Sequence, residues 1–254
     1  MYLELLIKLP KDLIDFDHLI RLFHEFISKH KYPGNVHEHP VVQAILSQLY
    51  VIGGRYDLAG KLLIKRKDPS VFVFLKQHKV DIPLSEFFGK LLKIDSKATL
   101  DFILDRGESS QTSKDASKLI DNCMYGLNES FKNKRKKGNF DAAELEEEME
   151  RQKYTFLKTI FDKNKTLGRH YHTYQIELCI KYDRENLMDL LVHGDYEKMR
   201  ALELCKSAKL FNEQAYLYLM IGNRDAAIKL LINNTGESIK DTLDLAVRFQ
   251  ISDD

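Results

Sequence analysis

A fifteen-residue pattern occurs twice without a gap in this chain of 254 residues, once from Leu49 to Leu63 and again from Leu217 to Leu231. The shared positions are Leu49 and Leu217, Tyr50 and Tyr218, Gly54 and Gly222, Asp57 and Asp225, Ala59 and Ala227, and a closing Lys-Leu-Leu that includes Leu62, Leu63, Leu230 and Leu231. A Leu-Tyr helix that stops at a Gly able to take φ > 0, followed at once by Ala, Leu and Leu at i, i+3 and i+4, is a helix-turn-helix unit. Such a unit cannot bury its apolar face alone, so its repetition predicts a stacked array. The Lys-Leu-Leu ends are expected in the core, beside alanines small enough to let neighbouring helices approach.

A second frame recurs. Lys93-Ile94-Asp95 leads into Leu100-Asp101-Phe102-Ile103 as Lys181-Tyr182-Asp183 leads into Met188-Asp189-Leu190-Leu191. Each reads as a helix end, an Asp that can cap the next helix, and a short apolar stripe. Helical periodicity is found almost everywhere and strand alternation almost nowhere; Leu19, Leu22, Phe23, Phe26 and Ile27, for example, make one apolar face. The spacing predicts helices over 12–30, 41–52, 56–66, 69–79, 83–93, 96–106, 112–126, 141–162, 171–182, 184–192, 195–208, 211–221, 224–234 and 237–250. Most are too short to persist alone in water, so packing must hold them. Short links at Gly54, Gly107, Gly194, Gly222 and Gly236 place consecutive helices antiparallel and adjacent. The expected fold is therefore all-α, an α-solenoid of stacked antiparallel helical hairpins running through residues 1–254 as one segment.

One stretch breaks the rhythm. Residues 107–117 are small and polar, a loop by composition. Beyond the next helix come the basic residues Lys132, Lys134, Arg135, Lys136 and Lys137, then an acidic run from Glu144 to Glu150. The basic run reads as a solvated loop balanced by the acidic helix after it, with a candidate role in interaction. Residues 127–150 read as a charged insertion with few apolar side chains, so removing 128–148 is expected to cost little buried surface.

Net charge is +1, so no bulk attraction to nucleic acid or membrane exists. No apolar run approaches the length of a bilayer span, and Met1–Leu9 lacks the features of a signal peptide. The chain reads as cytoplasmic. Three cysteines, Cys123, Cys179 and Cys205, are odd in number and widely spaced, which suits buried thiols rather than disulfides or zinc. No phosphate loop, nucleophile elbow, zincin helix or dinucleotide fingerprint is present. His37-Glu38-His39 and His170-Tyr171-His172 alternate in links without the i, i+4 geometry of a catalytic zinc site, and read as surface loop histidines. Neither enzyme activity nor a cofactor or metal is expected.

The repeated unit and its surroundings resemble a known family. Leu49-Tyr50 through Leu63, then Lys67-Asp68-Pro69-Ser70-Val71-Phe72 and Lys76-Gln77-His78, are similar to the clathrin-heavy-chain-repeat region of the vacuolar protein sorting-associated protein 41 family. So are Arg169-His170-Tyr171-His172 with Gln175-Ile176, Tyr182-Asp183-Arg184-Glu185-Asn186-Leu187, and Ala201-Leu202-Glu203-Leu204-Cys205 with Glu213 and Met220-Ile221-Gly222-Asn223-Arg224. The resemblance implies a non-enzymatic solenoid scaffold in the HOPS complex, which tethers late endosomes and vesicles to lysosomes or vacuoles. It also implies other HOPS subunits as partners, and peripheral membrane association through them.

Family members carry a β-propeller before this region and a zinc-binding RING-like module after it, neither of which lies in this sequence. Coat, Rab GTPase and zinc-dependent roles are therefore not carried over. A clathrin leg would keep the fold and change the assembly. A nucleic-acid-binding array using residues 132–137 would require strong salt dependence, which the neutral overall charge disfavours. The last expected helix presents Ile239, Leu243 and Val247, a candidate surface for docking or self-association.

Overall fold

The computed structural model describes residues 14–29, 40–109, 112–138 and 141–234. Among these the regular structure is helical, with no strand. In chain order the α-helices are α1 (Phe16–Lys29), α2 (Pro40–Ile52), α3 (Tyr56–Lys65), α4 (Val71–Gln77), α5 (Leu84–Ile94), α6 (Ser96–Glu108) and α7 (Ser113–Lys137). They continue as α8 (Ala142–Lys163), α9 (His172–Tyr182), α10 (Leu187–His193), α11 (Lys198–Ser207), α12 (Phe211–Met220) and α13 (Arg224–Asn234). Short 3₁₀ turns, Arg169–Tyr171 and Arg184–Asn186, lead into α9 and α10.

The chain divides into two compact units. The first holds the described residues up to Asp105 together with Tyr125–Ser130; the second holds Arg106–Met124 and the described residues from Phe131 onward. In the first, α2 packs on α1 and α3, and α3 also packs on both α4 and α5. In the second, α9 packs on α8, α10 and α11, while α12 packs on α10, α11 and α13. Contact with the next helix makes a hairpin, and contact with the next but one stacks hairpins side by side. The fold is all-α, of the α-solenoid class.

Helix ends carry much of this regularity. Five of them close with the paired bonds of a Schellman motif, the residue after the helix lying in the left-handed region. After α2, Gly54 (φ 71°) donates to Val51 O at 3.1 Å and Arg55 to Tyr50 O at 2.7 Å. After α12, Gly222 (φ 86°) donates to Leu219 O at 2.9 Å and Asn223 to Tyr218 O at 2.9 Å. After α3, α4 and α11 the left-handed residue is a lysine: Lys67 (φ 56°), Lys79 (φ 51°) and Lys209 (φ 56°). The accompanying long bonds run from Asp68 to Leu63 O, Val80 to Leu75 O and Leu210 to Cys205 O, each at 3.0 Å.

Several expectations are corrected. The helix expected to end near 126 continues to Lys137, and the small polar link before it shrinks because α6 runs to Glu108 and α7 starts at Ser113. The basic run is thus the last turn and a half of a long helix, not a loop; cations there complement the negative end of the helix dipole. Gly107 lies inside α6, and a Cβ on it would stand 2.6 Å from Leu167 Cδ2, so it serves close packing rather than a turn. Gly194 ends α10 with φ −79°. On α1 the buried residues are Ile20 and Ile27, while Leu22 and Phe26 are exposed. At 100° per residue those two pairs fall on opposite sides of the helix. Gly236 and the helix expected over 237–250 lie outside the described residues.

Candidate interaction surface

The repeated hairpins supply the scaffold on which any surface is carried. In α2 and α3, Leu49, Ala59 and Leu63 are buried, Tyr50 and Leu62 half-buried, and Asp57 exposed. In α12 and α13, Leu217, Ala227 and Leu231 are buried, Tyr218 and Leu230 half-buried, and Asp225 exposed. Of each Lys-Leu-Leu end, the second leucine alone is fully in the core. Ala215, Ala227 and Leu231 form one cluster, with Tyr218, Leu219 and Leu230 packed against it. Tyr50 Oη lies 3.3 Å from His24 Nε2, and Arg55 donates to Asp17 at 2.7 and 3.2 Å, fastening α1 to the first hairpin. At the equivalent turn of the second hairpin, Asn223 Oδ1 instead accepts from Ala226 N–H at 3.1 Å and caps α13.

The Lys-x-Asp frame resolves into two different devices. Asp95 caps α6, its Oδ1 accepting from Ala98 N–H at 2.9 Å. Asp183 caps nothing; its Oδ2 accepts from Lys158 Nζ at 2.5 Å, Tyr154 Oη at 2.7 Å and Asn186 Nδ2 at 2.9 Å. Those bonds, from Lys158 first and Tyr154 second, hold its carboxyl at about 2. Beside it, Glu150 Oε2 accepts from Lys181 Nζ at 2.5 Å and Tyr182 Oη at 2.9 Å. This polar seam locks α8 against the break between α9 and α10. Sequence spacing could not distinguish a capping Asp from a hub Asp, because two of its three donors, Tyr154 and Lys158, come from α8, more than twenty residues away.

The histidine pair at 170 and 172 also divides. His170 Nε2 lies 2.9 Å from Asp121 Oδ1, which also accepts from Tyr171 Oη at 2.9 Å, an exposed tie to α7. His172 is buried, contrary to the surface-loop reading, with its ring edge-on to Phe161 at 5.2 Å. Its Nδ1 accepts from Asp195 N–H at 2.8 Å, and burial pushes its pKa down. The helical frame explains this: His172 opens α9 on the side that carries Gln175, Ile176 and Cys179, all buried. His37-Glu38-His39 lies outside the described residues.

The thiols are buried and pushed up by desolvation, Cys179 to about 11 and Cys205 to about 12, with Cys123 raised as well. Protonated, sequestered thiols are poor nucleophiles and poor metal ligands. Among the described residues no group of three or more His, Cys, Asp or Glu side chains could hold a metal ion.

Of the candidate interaction residues, Lys132, Arg135 and Lys136 are exposed on α7, and Lys134 Nζ bonds Glu148 Oε2 at 2.6 Å. Lys137 closes the helix. Opposite them α8 exposes Glu144, Glu146 and Glu147, so the α7–α8 hairpin is polarised, with a basic and an acidic arm. The stretch is not merely charged: Leu127, Phe131 and Leu145 are all buried. Ser130 sits so close to Gly89 of α5 that a Cβ on that glycine would lie 2.5 Å from Ser130 Cβ. Ile239, Leu243 and Val247 lie outside the described residues.

A helical-repeat family accounts for this arrangement. The family model described as the Vps41 TPR-like region matches residues 10–250. The chain belongs to the Vps41 TPR-like family. It is 26% identical over 196 residues to the vacuolar protein sorting-associated protein 41 homolog of Solanum lycopersicum, covering 76% of this chain and 18% of that protein. To the homologs of Mus musculus and Homo sapiens it is 25% identical over 207 residues, 80% of this chain and 20% of theirs. The chain thus spans about a fifth of the length of these relatives. No solved structure matches it. Among the described residues no helix is long and apolar enough to cross a membrane.

Proposed function

We propose that this chain is a non-enzymatic scaffold segment of a vacuolar protein sorting subunit, acting in the HOPS tether that supports vesicle delivery and membrane fusion at late endosomes, lysosomes or vacuoles. The observation that carries this reading is the family match over residues 10–250, which falls on a stack of hairpins held by apolar cores and capped ends. A hairpin array offers extended surface to proteins rather than a single chemical site. The buried, raised thiols and the purely structural roles of Asp183 and His172 agree with it, since their chemistry is spent on holding helices together. Partners would be the other tethering subunits, and membrane association would be peripheral and indirect, from the cytoplasmic side. Nucleic acid is not a proposed partner. Within the chain, the polarised α7–α8 hairpin with Lys132, Arg135 and Lys136 outward is the proposed place for a charged partner surface.

Affinity capture of the tagged chain from cells tests the reading. Recovery of HOPS subunits, reduced when Lys132, Arg135 and Lys136 are changed to Glu, is the expected result. Recovery of clathrin light chain without tethering subunits would replace the tether with a coat. Steeply salt-dependent recovery of RNA would replace it with a nucleic-acid-binding array.

A further inference from the structure

Between Lys132 and Glu150 the chain carries five basic and six acidic side chains, and the hairpin of α7 and α8 sorts them by sign, basic at the end of α7 and acidic over the start of α8. Some of this charge is spent inside the hairpin. Lys134 Nζ donates to Glu148 Oε2 at 2.6 Å and lies 5.7 Å from the centre of the buried Phe131 ring, so Lys134 stands on the side of α7 that meets α8. Glu147 Oε1 accepts from Arg151 Nη2 of its own helix at 3.1 Å.

The helical repeat then fixes where the other cations stand. At 100° per residue, Lys132 and Lys136 fall about 160° to either side of Lys134, on the flank of α7 turned away from α8, and Arg135 stands about 100° from it. All three are exposed, and they make a ridge in which Lys132 and Lys136 are about 6 Å apart along the helix axis. Whether such a ridge attracts an anionic partner depends on the partner's width. The bond between Lys134 and Glu148 holds the two arms within the reach of two side chains, comparable to the Debye length of about 8 Å at physiological ionic strength. A broad anionic surface, a bilayer or a duplex, covers both arms and meets as many carboxylates as cations, so it gains no net attraction. A single peptide segment is narrow enough to lie on the far flank of α7, with three cations beneath it and the α8 carboxylates behind the body of the helix.

We infer that the ridge of Lys132, Arg135 and Lys136 docks an acidic peptide segment of a partner protein, one whose carboxylates stand about 6 Å apart, the spacing of i and i+4 on a helix or i and i+2 on a strand. Arg135 offers its planar fork to one carboxylate, and the two lysines act as point charges along the segment. The inference rests on the proposed charged surface of the α7–α8 hairpin and names the chemistry of what binds there.

Titrating the full chain against a fluorescent oligoglutamate peptide, phosphatidylserine–phosphatidylcholine vesicles and duplex DNA, each at physiological ionic strength, tests this. The peptide should bind, with an affinity that falls as salt rises. Lys132→Gln, Arg135→Gln and Lys136→Gln together should weaken it about tenfold, the scale of three exposed ion pairs. Lys132→Arg with Lys136→Arg should keep the affinity, and circular dichroism should show all these exposed substitutions folded as the unaltered chain. Vesicles and DNA should bind more weakly than the peptide, and should gain when Glu144, Glu146 and Glu147 are changed to Gln, which removes the opposing arm. Absence of peptide binding, or peptide binding indifferent to the triple Gln change, would overturn the inference. Tighter binding of vesicles or DNA by the unaltered chain would overturn it in favour of a broad anionic surface, and self-association abolished by the triple change would give the ridge to a second copy. Capture of tethering subunits reports separately on the scaffold reading: the inference fails on the peptide even where that capture depends on the ridge, and the reading fails where no tethering subunit is recovered.

Discussion

Among the described residues three helices end on a lysine in the left-handed region, where a glycine is the easier choice, and that makes stability respond to substitution with a definite sign. For an L-residue the left-handed conformation costs roughly 1–2 kcal/mol. Glycine removes that cost but loses roughly 0.5–1 kcal/mol more conformational freedom on folding than a residue with a Cβ. The side chains of Lys67, Lys79 and Lys209 are exposed, so little else is lost on replacing them. Each of Lys67→Gly, Lys79→Gly and Lys209→Gly should therefore stabilise its helix end by about 0.5–1 kcal/mol. In a chain of this length that raises the thermal midpoint by about 1–4 °C.

The opposite exchange supplies the control. At Gly54 and Gly222 an added Cβ would meet no heavy atom within 4 Å, so Gly54→Ala and Gly222→Ala carry backbone strain alone and should cost about 1 kcal/mol each. Urea melts followed by circular dichroism give the global values. Hairpin arrays can open in parts, so amide exchange in α3, α4 and α11 should be read beside them. Unchanged or lowered stability in all three Lys→Gly variants, together with a neutral Gly222→Ala, would refute the left-handed assignment of these ends.

Within each Lys-Leu-Leu end the burial is unequal, so Leu63→Ala and Leu231→Ala should each cost about 2–5 kcal/mol and Leu62→Ala and Leu230→Ala distinctly less, as measured by denaturant midpoints. Phe131→Ala should cost about 3–5 kcal/mol, and deletion of 128–148 should leave the chain poorly soluble; solubility of the deletion at wild-type level would restore the view of this stretch as a dispensable insert. Asp183 is depressed in the fold to about 2, so the stability it contributes is present above the ordinary carboxylate range and lost as pH falls toward 2; Asp183→Asn should flatten that part of an acid-denaturation profile. His172 is held neutral by burial, its folded pKa below the unfolded value, so its contribution is present above pH ~6.5 and lost on acidification. Protonation would also place a hydrogen on the Nδ1 that accepts from Asp195; His172→Gln should remove the loss of stability that sets in on acidification below pH ~6.5, checked by amide exchange at residues 194–197.

The all-helical character, the two matched hairpins and their Gly54 and Gly222 turns were legible in the sequence, because helical period, small residues and glycine stops are local properties written into neighbouring positions. The family was legible for the same reason, since its motifs fall on helix ends and the residues beside them. What the sequence could not decide was which of two similar local patterns meets which neighbour. Asp95 and Asp183 share a frame, yet one caps a helix and the other gathers Lys158, Tyr154 and Asn186, since only packing brings α8 to the second of them. The basic run looked like a loop because charge clusters are usually solvated; burial of Leu127 and Phe131 along one face of α7 carries the helix through to Lys137. His172 and the three left-handed lysines were missed for a related reason. A histidine enters a core, and a lysine takes a glycine's conformation, only when surrounding helices offset the local cost, and that balance is set by tertiary structure rather than by any residue's own preference.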